Sequence, residues 1–596
     1  MNSVKMLFNK YFDYIFKLIV KKISAKRLIL ILSFIVGLLA GIAAIFLKNA
    51  VHYLSAFIFE SQNVSKVNLL YFIIPLTGIF ITVIFVRKFI KDDIGHGVTK
   101  VLYSMSKSNG YLKPHNMFSS LIGAIFTVGS GGSVGLEAPI VLTGSSIGSN
   151  LSRKFKLNYK YTLLLIGCGA AGAIAGIFKA PIAGVIFALE VLMLDLTLWS
   201  IIPLLISSAT AATLASFLMG KDVLFNFTPD VNTYMQNLHW YLVLGIFTGL
   251  VSVYFTRGTI FIEENMKKIT NPYHRLFFGS IILGCLIFIF PPLFGEGYNT
   301  LRLLLTDNSE KLLNSTFIYH LKDNFWIWLA FLLLILFFKV IAMTLTTSSG
   351  GVGGIFAPSL FSGGLSGFIV AKALNQLSFI QVSEKNFALA GMAGVMSGVM
   401  HSPLTAIFLI GEITGGYALF IPLIIVSATS FITVRLFVPY SIYTHRLAQR
   451  GELITHDKDK TTFLLMNIDE LIETNFEILN PDSKLRDLVN AISRSSRNVF
   501  PVVDSDGKMV GILTLNDVRQ IVFNHELYDK IYIRNLMYFP EVYVNYNDSL
   551  ETIANKIESS GHYNVPVLQE GKYIGFVSRA KVFSAYRKFI KDFSEE

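Results

Sequence analysis

The chain contains the same glycine pattern twice, and the two copies differ at one charged position. The block GSGGSVGLEAPIVLTG runs from Gly129 to Gly144, and SSGGVGGIFAPSLFSGGLSG runs from Ser348 to Gly367. Gly131, Gly132, Gly135, Ala138, Pro139, Gly144 and Gly148 recur 219 residues later as Gly350, Gly351, Gly354, Ala357, Pro358, Gly363 and Gly367. The carboxylate does not recur: Phe356 stands opposite Glu137. A second pair of blocks, residues 170–190 and 392–412, aligns Gly172, Gly176, Pro181 and Glu190 with Gly394, Gly398, Pro403 and Glu412. Matched blocks in the same order and at nearly the same offset mark an internal duplication.

The blocks lie in membrane-like surroundings. Charged residues make up 15% of the chain, against about 25% in soluble domains, and the mean hydropathy is +0.56. Apolar runs at Leu28–Leu47, Leu69–Val86, Ile201–Met219, Trp240–Phe255, Phe277–Phe294, Phe325–Phe338, Phe387–Ile410 and Leu419–Val438 read as spans or parts of spans. Between them the apolar segments are short and broken by Gly and Pro, which points to half-helices around a binding site, with the halves packed as inverted repeats. Residues 1–27 are basic, with Lys17, Lys21, Lys22, Lys26 and Arg27 just before the first run, so the N-terminus is expected in the cytoplasm. That run is too long for a signal-peptide core, and no small-residue cleavage site follows it. The net charge of +12 suits such flanks, and it equally suits attraction of anions. No basic run is interleaved with stacking aromatics, so nucleic acid is not expected as a partner. Cys168 and Cys285 lie in apolar runs and suggest neither a disulfide nor a metal site. No nucleophile–base pair, phosphate loop or metal-ligand cluster points to an enzyme.

A helix N-terminus presents unpaired amides and about half a positive charge, so it can hold an anion without a cationic side chain. Glycine lets the backbone approach closely, and proline in the first turn sacrifices no hydrogen bond. Gly135–Pro139 and Gly354–Pro358 have this form, and Gly95–Gly97 is a third glycine break. Ionised, Glu137 would occupy the anion's place; protonated or displaced, it would leave that place open. The expectation is an anion pathway with Glu137 as its gate, the alternative being a capping carboxylate without a transport role. Gly144, Gly148, Gly363 and Gly367 continue at helical spacing and are expected to serve helix packing. Glu190 and Glu412 are expected to cap or pair.

At these residues the chain resembles the CLC family of chloride channels and chloride/proton exchangers, over roughly residues 28–445. The family's signatures GSGIP, GxEGP and GxFxP are matched by GHGVT (95–99), GLEAP (135–139) and GIFAP (354–358). The resemblance implies an all-α polytopic inverted-repeat fold, with repeat halves at about 68–219 and 277–438, and a homodimer with one pore per subunit. It makes Glu137 the gate and places Gly95, His96, Gly97, Gly135, Leu136, Gly354, Ile355 and Phe356 on the anion path. It also implies a pore tyrosine, assigned to Tyr440 with Tyr443 as runner-up. His96 replaces the family's coordinating serine, which bears on anion selectivity. Val191 stands where exchangers usually carry a second, internal glutamate, which favours a channel over a chloride/proton antiporter. A fluoride exporter of the same family is a further alternative.

After His445 the composition changes. A linker at 446–462 leads to two α/β copies at 463–525 and 526–596, each a helix, an apolar strand, a Gly-containing turn at Asp506-Gly507 or Glu570-Gly571, and a second strand. They resemble tandem CBS domains. The resemblance implies a cytoplasmic regulatory pair with one adenine-nucleotide site at Thr514 and Asp517. The second copy offers Ser578 and Lys581 instead, and a ligand-free structural pair is the alternative. The expected location is the cell (inner) membrane, with the bilayer, chloride and protons as partners and no required cofactor.

Overall fold

A computed structural model of the chain describes residues 24–59, 70–194, 198–220, 222–225, 236–306, 309–313, 324–377, 380–449 and 468–594. Most of the expected N-terminal segment (1–27) and of the linker (446–462) lies outside the described residues. The chain divides into two compact units, residues 1–453 and 454–596.

The first unit is helical. Its N-terminal part runs through α1 (Ala25–Phe59), α2 (Leu70–Phe85), α3 (Gly97–Lys107), α4 (Ser119–Gly129), α5 (Glu137–Lys154), α6 (Tyr159–Phe178), α7 (Pro181–Glu190) and α8 (Leu198–Met219). It continues through α9 (Leu238–Lys267), α10 (Pro272–Ile289), α11 (Tyr298–Leu305), α12 (Phe325–Ser348), α13 (Phe356–Asn375), α14 (Glu384–Met400), α15 (Pro403–Ile413), α16 (Phe420–Arg435) and α17 (His445–Gln449). Eight of the described helices are long and apolar enough to cross a membrane.

The duplication is visible in the packing. α5 lies on α6, α6 on α8 and α7 beside α8; α13, α14, α15 and α16 repeat this arrangement, with α13 on α14 and α14 on α16. The four helical glycines serve these contacts. A Cβ on Gly144 would lie 2.2 Å from the Gly169 carbonyl oxygen, and one on Gly367 would lie 1.9 Å from that of Phe387. Both α6 and α14 stop at a left-handed, non-glycine residue, Lys179 (φ 57°) and His401 (φ 55°). The next helix starts two residues later at Pro181 or Pro403, because proline suits the first turn and cannot continue a helix. The apolar run Phe387–Ile410 is therefore two helices, not one. The other expected boundaries move too: α1 extends the first run to 35 residues, and α9 carries the Trp240–Phe255 run on to Lys267.

Glu190 and Glu412 cap each other's helices. The Glu190 carboxylate accepts from the amides of Leu404 (3.1 Å) and Thr405 (2.8 Å) and from the Thr405 hydroxyl (2.7 Å) at the start of α15. The Glu412 carboxylate accepts from the amides of Ile182 (3.1 Å) and Ala183 (2.8 Å) at the start of α7. An anion at a helix start satisfies orphan amides and complements the dipole.

The second unit contains two small sheets. In the first copy, β2 (Val499–Val503) and β3 (Met509–Thr514) form an antiparallel hairpin between α18 (Leu485–Arg494) and α19 (Leu515–Val518). In the second, β5 (Asn564–Gln569) and β6 (Lys572–Ser578) form the equivalent hairpin between α20 (Leu550–Ser560) and α21 (Arg579–Ser594). Glu570 and Gly571 both have positive φ, the conformation a two-residue hairpin turn requires. β1 (Ile472–Glu473), near the start of the first copy, pairs with β6 of the second, giving the sheet order β1-β6-β5-β4, with β4 at Val544–Asn545. Glu473 on β1 receives hydrogen bonds from Arg497 (2.5 Å) and from the Ser578 hydroxyl. Partial burial pushes its carboxyl up, but these two donors outweigh that and hold it below its ordinary value.

Two outcomes follow. Replacing Glu412 with Ala removes two charge-assisted hydrogen bonds, each worth about 1.5–3 kcal/mol, and is expected to lower the thermal midpoint of the detergent-solubilised full chain. Glu412→Gln keeps an acceptor oxygen and should lose less; an unchanged midpoint in both would refute the cap. Glu473 has a depressed folded pKa, so its contribution is present above the unfolded value of about 4.3 and is lost as pH falls through the lower folded value. Glu473→Gln is expected to destabilise the second unit at neutral pH and to flatten its acid-side loss, read by pH-dependent unfolding.

Candidate functional site

The two glycine breaks face each other. Gly135 N–H donates to the Gly354 carbonyl (2.9 Å), and Gly354 N–H donates to that of Gly135 (2.7 Å), an isolated antiparallel bridge between the duplicated halves. The bridge sets the starts of α5 and α13 side by side. Glycine is required: a Cβ on Gly135 would lie 2.0 Å from Glu137 Oε2 and 2.9 Å from the Ala357 Cβ. Neither N-cap residue, Leu136 or Ile355, supplies a side-chain cap. The first intrahelical bonds come from Ile140 and Ser359, so the earlier amides of both helices need an external acceptor.

Glu137 sits beside those amides, with its Oε2 buried and without a hydrogen-bond partner. Its side chain is buried (3% exposed), and it faces its own backbone N–H and that of Ala357 at the start of α13. Oε1 accepts from the Tyr298 hydroxyl at 3.0 Å. Tyr298 opens α11 after Gly297 (φ 92°). The helix from the first half thus lends its acid to the helix start of the second.

Cavities end on both neighbours of Glu137. Leu136 lines a cavity of about 540 Å³ together with Lys48, Glu296, Tyr298 and Arg302. Ala138 lines a narrow cavity of about 70 Å³ with Gly354, Ile355, Tyr443, His96 and Glu263. The narrow cavity shares His96, Glu263, Lys267 and Arg446 with a third, of about 700 Å³, that Arg87, Lys91 and Arg275 also line.

The expected residues fall into place unequally. Gly135, Leu136, Glu137, Gly354 and Ile355 are brought together. Phe356 is the first residue of α13, and its buried ring stacks on Phe178 (5.3 Å between centroids). Gly97 joins them, because a Cβ there would lie 2.3 Å from the Ala138 carbonyl oxygen. The amide of Gly95 is already taken by the Asp93 carboxylate (2.9 Å). His96 is the N-cap of α3 and lines the narrow cavity, with Nε2 3.7 Å from Glu263 Oε1. Tyr440 needs correction: it is 43% exposed and does not line the narrow cavity, whereas Tyr443 is 7% exposed and does. The turn after Ser441 carries the later tyrosine inward. Val191 is buried at the end of α7.

Other residues escaped the sequence reading. Glu296 lies close enough to Glu137 to act on it electrostatically, and it faces the Leu136 amide. Lys339 is fully buried and donates to Ser133 Oγ (2.8 Å) and the Gly295 carbonyl (3.0 Å). Arg446 donates to Glu263 Oε2. An acid or cation interrupting an apolar run is a signal for Lys339; Glu296, in a loop, and Tyr298 gave none. In the second unit, Thr514 donates to Asp517 Oδ2 through both its amide (2.9 Å) and its hydroxyl (2.6 Å), a reciprocal N-terminal cap of α19.

Opposed helix N-termini, bridged by glycines and closed by one carboxylate inside a bundle of membrane-length helices, define a membrane transporter or channel for small anions. Residues 77–435 match the voltage gated chloride channel family, and residues 468–524 and 533–588 match the CBS domain. The chain belongs to the voltage gated chloride channel family and ends in a pair of CBS domains. It is 28% identical over 450 residues to the H(+)/Cl(-) exchange transporter ClcA of Vibrio parahaemolyticus, covering 72% of this chain and 92% of that one. It is 25% identical over 556 residues to the chloride channel protein CLC-e of Arabidopsis thaliana, covering 82% and 75%. Its fold is similar to the crystal structure of a slow cyanobacterial Cl-/H+ antiporter, with TM-score 0.61 and 22% identity over 72% of this chain and 99% of that one.

Tyr298→Phe removes the hydroxyl that donates to Glu137, the expected gate. A hydrogen bond to a charged group contributes about 1.5–3 kcal/mol, so anion flux through the reconstituted protein is expected to rise about tenfold or more at a pH where the wild type is mostly closed. Unchanged flux would show that Tyr298 does not hold the gate.

Proposed function

We propose that the protein exchanges chloride for protons, with Glu137 as the group that both ions contend for. The carrying observation is the position of Glu137: its buried carboxylate lies against the paired starts of α5 and α13, where an anion would sit, with Oε1 held by Tyr298 and Oε2 unpartnered. Ionised, it is held by a charge-assisted bond from Tyr298 and by the two helix dipoles; protonated, it keeps only a neutral bond, roughly half as strong. Chloride then competes for the same amides, so proton uptake and anion entry are linked at one atom group. The name of a relative matched over 92% of its own length and 72% of this chain, an H(+)/Cl(-) exchange transporter, supports this reading.

A second reading, passive chloride conduction with the same gate, is favoured by Val191, an apolar residue buried at the end of α7. In both readings the cavity lined by Arg87, Lys91, Lys267, Arg275 and Arg446 faces the cytoplasm, because basic residues concentrate on that side. The CBS pair would bind an adenine nucleotide through Thr514 and Asp517 once their mutual cap opens.

Liposomes holding a chloride gradient test the assignment. Chloride efflux is expected to drive protons the opposite way in a fixed ratio. Glu137→Gln, a permanent mimic of the protonated gate, is expected to abolish proton movement and to leave anion flux independent of pH. A wild type that passes chloride without moving protons would reject exchange in favour of conduction; a Glu137→Gln variant still sensitive to pH would reject the gate.

A further inference from the structure

Exchange requires a proton route from Glu137 to each side of the membrane. Towards the basic cavity, the narrow space that begins at Ala138, Gly354 and Ile355 ends among His96, Glu263 and Arg446. Glu263 is an unexpected occupant. A carboxylate on an anion's route repels that anion unless its charge is balanced, and a mostly buried carboxylate carries a desolvation cost as well. Its side chain is only 12% exposed. Arg446 balances it with a direct hydrogen bond to Oε2, and the His96 imidazole approaches the other oxygen, Oε1. Two proton-accepting groups thus meet at the far end of the cavity that starts beside the gate.

We infer that Glu263, with His96 against it, is the group that exchanges protons between the cytoplasm and the Glu137 gate. The inference rests on the exchange reading above. A proton released by the Glu137 carboxyl as it re-ionises enters the narrow cavity, is taken up by Glu263 Oε1 or His96 Nε2, and leaves to cytoplasmic water; the reverse order serves the opposite direction. The pair does not sit in a uniform field. Asp93 lies before α3, Glu264 and Lys267 on α9, and Arg275 on α10, while His445 and Arg446 lie on α17. The Nδ1 of His445 is buried without a hydrogen-bond partner, a further polar group available to a proton carrier along this wall. Arg446 keeps Glu263 from being a fixed barrier: paired it is electrically neutral to a passing chloride, and protonated it leaves Arg446 as an attractive charge.

The same liposome assay tests this, read as protons moved per chloride. Glu263→Gln is expected to lower that ratio at least tenfold while chloride flux stays measurable. Glu263→Asp, which keeps the acid and its charge, is expected to retain an intermediate ratio, and it carries the test should the Gln variant not fold. A simple structural salt bridge would lower folded yield and both fluxes together, leaving the ratio at the wild-type value. A wild-type ratio in both variants overturns the assignment and leaves exchange standing; absence of proton movement in the wild type overturns both.

Discussion

Two backbone hydrogen bonds between Gly135 and Gly354 carry the architecture of the site. They bind a helix start from each half of the duplication to the other, so that two positive dipole ends converge without any cationic side chain. Convergence of this kind is self-opposing unless something negative lies between the helices. Glu137 lies between them in this structure, beside its own amide and that of Ala357. The tolerance is small, since a methyl group on Gly135 would strike Glu137 and Ala357, and one on Gly354 would crowd Ala138.

Much of this was legible because helix breaks leave local marks. Glycine and proline at fixed spacing announced where backbone amides would be exposed, and the repeat announced that there would be two such places. What stayed hidden depends on distant partners. Tyr298 touches Glu137 across 161 positions of sequence; nothing beside it in the chain distinguishes it from any helix-opening tyrosine. Glu263 was obscured by a boundary. The apolar run ends near Phe255, but α9 continues to Lys267, because its last turns are polar where they line the cavity rather than lipid. Tyr440 and Tyr443 sit three residues apart around a turn, and counting along the chain does not reveal which one the turn directs inward.

The charges around Glu137 are of both signs. Lys339 is buried to 0% exposure but has two oxygen acceptors, and Glu296 acts as its electrostatic counterpart. Lys48 stands nearby on the wider cavity. Removing one member of such a set leaves an uncompensated charge, which costs more than the pair contributes.

The exchanged caps at Glu190 and Glu412 have a consequence for how the chain is made. The start of α7 waits for an acid 230 positions downstream, and the amide partner of Gly135 lies almost as far away. Such distant closures are slow and depend on loop search. While the ribosome is still working through the second half, the first half sits in the bilayer with open helix ends and no completed ion site. Translation must pass residue 412 before the membrane unit can close, so the protein should be electrically silent until synthesis of its transport unit is nearly finished.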